Sequence, residues 1–157
     1  MTALFTKLNY KGQSAVLCLN APESMEPELA LLGQQVPVFR EVSALPKIEF
    51  ALVFVTNSAQ IEGSIAAIYD HLEGDAVLWY CYPKASSKRY QSAVNRDHGW
   101  EPLGQRELEP VRQVAIDTDW SALRFRKTAF IKTMKRNFAI SETGKQKVDL
   151  ATKNQKP

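Results

Sequence analysis

The residues best suited to binding a ligand lie in a loop that follows the third buried strand of the predicted sheet. Segment 83–89 combines three cations with two hydroxyl donors, namely Lys84, Lys88, Arg89, Ser86 and Ser87. The pattern predicts a helix after this loop, from Ser86 or Ser87 to about His98. Amides at a helix start favour anions, so we expect a small anionic ligand here. A capped helix with exposed lysines fits the same residues equally well.

Two further polar residues follow predicted strands. Asn57 comes after the second buried strand and caps a helix, with Gln60 in the capping-box position. Glu41 lies 22 residues after Leu19, close to the spacing at which an acid meets the two hydroxyls of a ribose. Because parallel strands share one carboxyl edge, we expect Asn57 beside the loop and Glu41 at the margin of the site. For Glu41, an exposed loop position is the commoner role.

The turn between the first predicted strand and the helix after it argues against binding of a dinucleotide. A phosphate-binding turn needs glycines so that the backbone can approach the ligand closely. This turn contains Asn20, Ala21, Pro22 and Glu23 instead. Pro22 lacks an amide donor, and Glu23 would repel phosphate. We therefore predict weak or absent binding of dinucleotides and of S-adenosylmethionine, and we expect no cofactor.

Familiar catalytic and metal-binding motifs are missing from the sequence. There is no Gly-x-Ser-x-Gly elbow, Walker loop or His-Glu-x-x-His helix. Neither His71 nor His98 has another His or a Cys at the spacing of metal ligands, so no metal site is predicted. Asp117 and Asp119 could form a carboxylate pair, but Asp side chains at a turn more often bond the turn backbone. We expect Trp120 to pack over the end of the sheet.

Continuous apolar runs and one alternating hairpin would position these residues. Runs that are apolar throughout predict strands covered on both faces, whereas Pro37 places its own strand at an edge. The strands are expected near 14–19, 36–40, 50–55, 76–82, 111–117 and 122–127. Helices are expected after the N-caps Ser24 and Asn57, ending at Gly33 and Gly74.

This order predicts a three-layer Rossmann-like α/β sandwich whose mostly parallel sheet ends in an antiparallel C-terminal hairpin, as in methyltransferases. Segment 82–88, together with the Asp-x-x-Trp-Ser-x-Leu-Arg-Phe pattern of 117–125, resembles a bacterial family of domains of unknown function. The resemblance extends from about Tyr10 to Lys127. It implies the same fold and a cytoplasmic location, and it implies no particular activity.

Composition indicates one domain followed by a tail. The chain has 157 residues, of which we assign 1–128 to a single α/β domain and 129–157 to a basic extension. No apolar run is long enough to span a membrane, and no signal peptide is evident. Cys18 and Cys81 lie inside apolar runs, which favours a reducing cytoplasm over a disulfide framework.

Charge is distributed unevenly. Residues 1–123 carry 10 Lys or Arg and 15 Asp or Glu, whereas 124–157 carry 10 and 2. Within the tail, apolar residues at helical spacing predict an amphipathic helix over 129–139, which would dock on the body or join two subunits. Residues 141–157 are expected to be mobile.

Three functions remain open from the sequence alone. The first is a non-catalytic Rossmann-like domain that binds a small anionic ligand or a protein. The second is a diverged S-adenosylmethionine-dependent methyltransferase, which the missing glycines disfavour. The third is a nucleic-acid accessory protein that uses the basic tail, which the acidic body disfavours.

Overall fold

A six-stranded mixed sheet forms the centre of the computed structural model, which describes residues 1–131. The strand order across the sheet is β2-β1-β3-β4-β6-β5. The strands are β1 (Val16–Leu19), β2 (Val38–Phe39), β3 (Ile48–Phe54), β4 (Leu72–Pro83), β5 (Leu108–Ala115) and β6 (Trp120–Lys127). Strands β1 to β4 pair in parallel, and β6 pairs antiparallel with both β4 and β5. This topology confirms the predicted Rossmann-like fold class and its antiparallel hairpin.

Helices cover both faces of the sheet. They are α1 (Ala3–Lys7), α2 (Glu26–Gly33), α3 (Ser58–Ile68) and α4 (Glu101–Gly104), with 3-10 turns at Glu23–Met25, Val42–Ala44, Tyr69–His71 and Thr128–Phe130. Helices α1 and α2 pack on one face and α3 and α4 on the other, so the apolar residues form two clusters. We call these sides the α1/α2 face and the α3/α4 face.

Strand β4 shows why the apolar runs predicted the sheet. Its alternate residues Val77, Trp79 and Cys81 belong to the cluster on the α1/α2 face, whereas Leu78 and Tyr80 belong to the α3/α4 face. A strand buried on both sides needs apolar residues at every position, which is the pattern in the sequence.

Several predicted boundaries are wrong. Helix α3 ends at Ile68 rather than Gly74, and β4 already begins at Leu72. Gly74 lies within β4 with φ 55°, where the pairing with β3 changes register. Ser24 does not cap α2, because a 3-10 turn precedes this helix.

The predicted helix from Ser86 to His98 is absent, and residues 84–99 form an irregular segment, called here the edge loop. The prediction depended on a capping serine and a terminal glycine, without helical apolar periodicity. In the structure, the Asn95 Oδ1 atom accepts hydrogen bonds from the amides of Asp97 and His98, at 2.9 and 3.0 Å. Such local side-chain bonds compete with helix formation.

The predictions for the tail fall mostly outside the described residues. The helix proposed for 129–139 begins where Thr128–Phe130 forms a 3-10 turn, and its remainder is not described. The domain boundary at residue 128 therefore stays a prediction. Among residues 1–131, no helix is long and apolar enough to cross a membrane.

Candidate functional site

The candidate site is the edge of the sheet where β1, β3 and β4 end and β6 begins. The chain runs from β1 outward to β2 and then returns to β3 on the other side of β1. Ligands of open α/β sheets bind outside the carboxyl ends of the strands at such a reversal. Asn20 follows β1, Asn57 follows β3 and Lys84 follows β4, so each lies at this edge.

The start of α3 is capped as predicted. The Asn57 Oδ1 atom accepts a hydrogen bond from the amide of Gln60 at 2.9 Å. The Gln60 Oε1 atom in turn accepts from the amide of Thr56 at 2.6 Å, one residue before the expected partner. The N-terminus of this 11-residue helix therefore faces the carboxyl edge with an ordered cap.

Asp119 holds the first part of the edge loop against the hairpin. Its carbonyl oxygen accepts from the amide of Lys84 at 2.7 Å, and its Oδ1 atom accepts from the Ser87 hydroxyl at 2.9 Å. The Ser87 oxygen then accepts from the amide of Tyr90 at 3.2 Å. Sequence reasoning missed this function of Asp119, because no local pattern links it to a residue 32 positions earlier.

The second part of the edge loop crosses the end of β3. The Thr56 carbonyl accepts from the amide of Ala93 at 3.0 Å and from the Ser92 hydroxyl at 3.2 Å. Tyr90 packs on the α1/α2 face, whereas Val94 is buried on the α3/α4 face. The edge loop therefore crosses the carboxyl edge from one face of the sheet to the other.

An aromatic cluster supports this crossing. The ring of Trp120 contacts Phe54 with centroids 5.1 Å apart, and Tyr90 with centroids 5.0 Å apart. Trp120 is buried, which confirms that it packs over the end of the sheet. The Asp117 Oδ1 atom accepts from the amides of Asp119 and Trp120 at 2.8 Å, so this carboxylate bonds its own turn, as expected.

A side-chain hydrogen bond joins the ends of β1 and β3, where the strand order reverses. Asn20 follows β1 with φ 58°, and its side-chain amide donates to the carbonyl of Phe54 at 3.5 Å. Asparagine is one of the few residues other than glycine that visit the left-handed region routinely. The absence of glycine therefore does not prevent the chain from turning as a glycine turn would.

The predicted site residues are only partly brought together. Asn57 and Lys84 follow neighbouring strands, about 5 Å apart in the sheet. Glu41 is exposed at the end of β2, three strand positions from β4 or about 14 Å away. Ser86 and Lys88 are exposed on the edge loop, and no described hydrogen bond joins them to Asn57.

The buried thiols and phenols are poorly suited to chemistry at neutral pH. Burial raises the pKa of Cys18 to about 12, and burial likewise raises the pKa of Cys81 and of Tyr82. A thiol must ionise to act as a nucleophile, so neither cysteine is activated. Within residues 1–131, no group of three or more His, Cys, Asp or Glu side chains could hold a metal ion.

No family model matches the chain. Among curated proteins, the chain is similar to an NAD-dependent protein deacylase of Helicobacter pylori, with 28% identity over 94 residues. That match covers 57% of this chain and 40% of the deacylase, so the chain spans less than half of the relative's length.

Solved structures with a similar fold include two bacterial proteins. One is a protein of the NADB-Rossmann superfamily from Streptococcus agalactiae, with 11% identity, a TM-score of 0.47 and coverage of 81% of this chain and 68% of that one. The other is a tRNA methyltransferase from B. subtilis, with 12% identity, a TM-score of 0.46 and coverage of 78% and 64%. At this level of identity, neither indicates an activity.

Proposed function

We propose that this chain is a Rossmann-like binding domain that holds a small anionic ligand at the first part of its edge loop. The observation that carries the proposal is a local excess of positive charge. Lys84, Lys88 and Arg89 make no ion pair with any other residue of 1–131. Asp119 lowers this charge without cancelling it.

Hydrogen-bond donors accompany the charge. The amides of Ser86 and Lys88 make no hydrogen bond within the described part of the chain, and the Ser86 side chain is exposed. The Ser87 amide between them donates to the Lys84 carbonyl at 3.0 Å, so Ser86 and Lys88 offer two separate backbone donors to an anion. We assign Lys84, Ser86 and Lys88 to contact with the anion and Ser87, which donates to Asp119, to positioning of the loop.

The start of α3 supplies a weaker contribution. Its N-terminus lies at the same edge, and the partial positive charge of a helix start attracts anions. The sequence predicted a second helix start at Ser86, and its absence leaves the lysines as the main source of attraction. Glu41, about 14 Å away, contacts only a ligand long enough to span three strand positions.

Thermal stabilisation tests this proposal. We expect inorganic phosphate or a sugar phosphate to raise the melting temperature, because a ligand at 100 times its Kd adds about 2.7 kcal/mol to the free energy of unfolding. Chloride matches the ionic strength in the reference sample. Replacing both Lys84 and Lys88 with Ala should remove this effect. The control replaces Lys11 and Lys47, two exposed lysines that precede β1 and β3, and should retain it.

Two results would contradict the proposal. The first is the absence of stabilisation by any of these anions at millimolar concentration. The second is an equal loss of stabilisation in both double variants, which would indicate nonspecific screening of charge.

S-adenosylmethionine is a second candidate ligand because of Asn20 and Glu41. The left-handed conformation of Asn20, φ 58°, provides the turn that glycine usually supplies after β1. Glu41 lies two residues after the end of β2, which neighbours β1, as an acid that binds ribose hydroxyls would. Pro22 still removes one amide donor. Tight binding of S-adenosylmethionine would support this candidate and displace the first.

A further inference from the structure

A second concentration of positive charge lies on the hairpin, well away from the edge loop. We define the arginine face as Arg112, Arg124 and Arg126. Arg112 and Arg124 are direct cross-strand partners in β5 and β6. Arg126 is two residues further along β6, so it lies on the same side of the sheet. Arg124 is about 13 Å along β6 from Trp120, which separates this face from the edge loop.

Carboxylates balance only one end of the arginine face. Arg126 donates to both carboxylate oxygens of Asp75, at 3.1 and 2.7 Å, and its cross-strand partner is the buried Glu109. Arg112 and Arg124 make no ion pair within residues 1–131. Like charges directly opposite each other on paired strands are destabilising, and neither arginine has a carboxylate within ion-pair distance in this part of the chain.

Arg124 is the most constrained of the three. Its side chain is partly buried, and its Nε atom is buried without a hydrogen-bond partner. Burial lowers the pKa of its guanidinium, and Arg126 and Arg112 lower it further, while Asp75 opposes them. A buried donor without a partner costs free energy, so this guanidinium is held on the face at a cost.

We propose that the arginine face binds a ligand that carries several phosphate groups, either a small polyphosphate or the backbone of a nucleic acid. Guanidinium groups bind phosphate oxygens in a bidentate manner. The three arginines are spaced about 5 Å across the strands and about 7 Å along β6, which suits several phosphates better than one. Residues 132–157, which follow in the sequence, contain 7 Lys or Arg and 2 Asp or Glu, and this composition also favours a polyanion.

Binding by the full-length chain tests the proposal with two probes, inorganic triphosphate and a short single-stranded oligonucleotide. Arg112 is exposed, so Arg112→Ala should leave the fold intact and, without anion, should not lower the melting temperature. We expect Arg112→Ala to weaken binding about tenfold and to reduce the slope of log K against log salt by about 1. Arg112→Lys should lie between, because it keeps the charge and loses the bidentate geometry.

The matched control is Lys47→Ala, which removes the same charge from an exposed residue just before β3. Binding of triphosphate alone would identify a small polyphosphate as the ligand, and binding of the oligonucleotide would identify a nucleic acid. Equal effects of Arg112→Ala and Lys47→Ala, or binding of neither probe, would overturn the proposal. The variant with Lys84 and Lys88 replaced should bind normally, which keeps this site distinct from the edge loop.

Discussion

Two consecutive segments, residues 48–83 and the edge loop, build the carboxyl edge by different means. The first contains β3, α3 and β4, and most of its large apolar residues are buried in the clusters on the two faces of the sheet. The second has no helix or strand, and hydrogen bonds to Asp119 and Thr56 hold it in place. The comparison shows that a scaffold fixed by apolar periodicity supports a loop fixed by contacts between residues distant in the sequence.

The largest effect on stability should come from the scaffold. Phe50 in β3 is fully buried, and its ring contacts Phe5 and Tyr10 with centroids 6.1 and 5.9 Å apart. Phe50→Ala should lower the free energy of unfolding by about 3–5 kcal/mol, because it leaves a cavity between the sheet and α1. Leu31→Ala, at an exposed apolar position of α2, is the control and should change it by less than about 0.5 kcal/mol. Urea denaturation measures both changes. Similar losses in the two variants would contradict the conclusion that the buried apolar residues of β3 provide most of the stability.

A smaller and more local effect should come from Asp119. Asp119→Ala removes the acceptor of the Ser87 hydroxyl, and a hydrogen bond to a charged group contributes about 1.5 kcal/mol. Hydrogen exchange should accelerate at the amides of Ser87, Tyr90 and Ala93, whereas the amides of β4 stay protected.

The matched control for Asp119 is Asp97→Ala. It removes the same charge from an exposed residue of the edge loop whose side chain makes no described hydrogen bond. Exchange that rises equally in both variants, or that rises throughout β4, would show that Asp119 does not fix the edge loop in particular.

The same contrast explains which parts of the molecule could be predicted from the sequence. The strand near 50–55 was predicted from a continuous apolar run, and the helix after Asn57 was predicted from apolar residues at helical spacing. Both elements are present, as β3 and α3, although α3 ends at Ile68, earlier than predicted. In the edge loop, Tyr90 and Val94 pack on opposite faces of the sheet. That arrangement depends on contacts with residues at the end of β3 and the start of β6. These residues are distant in the sequence, so no local pattern predicts it.

The candidate site shares this limit. Asn57 could be assigned because a helix cap is a local feature, and its bond to the Gln60 amide confirms the assignment. The bond between Ser87 and Asp119 joins residues far apart in the chain, so composition could suggest the lysine-rich loop but not its geometry. Whether the loop binds an anion stays a prediction.

The smallest expected effect concerns Asn20, where a single backbone angle can be separated from a side-chain contact. Asn20→Gly removes the 3.5 Å bond to the Phe54 carbonyl but keeps the left-handed backbone, φ 58°, at no steric cost. Because glycine also has greater freedom in the unfolded chain, we expect a net change within about 0.5 kcal/mol. Asn20→Ala should cost about 1 kcal/mol, since alanine visits this region poorly. Equal losses in the two variants, measured by urea denaturation, would show that the side-chain bond, rather than the backbone angle, fixes the turn after β1.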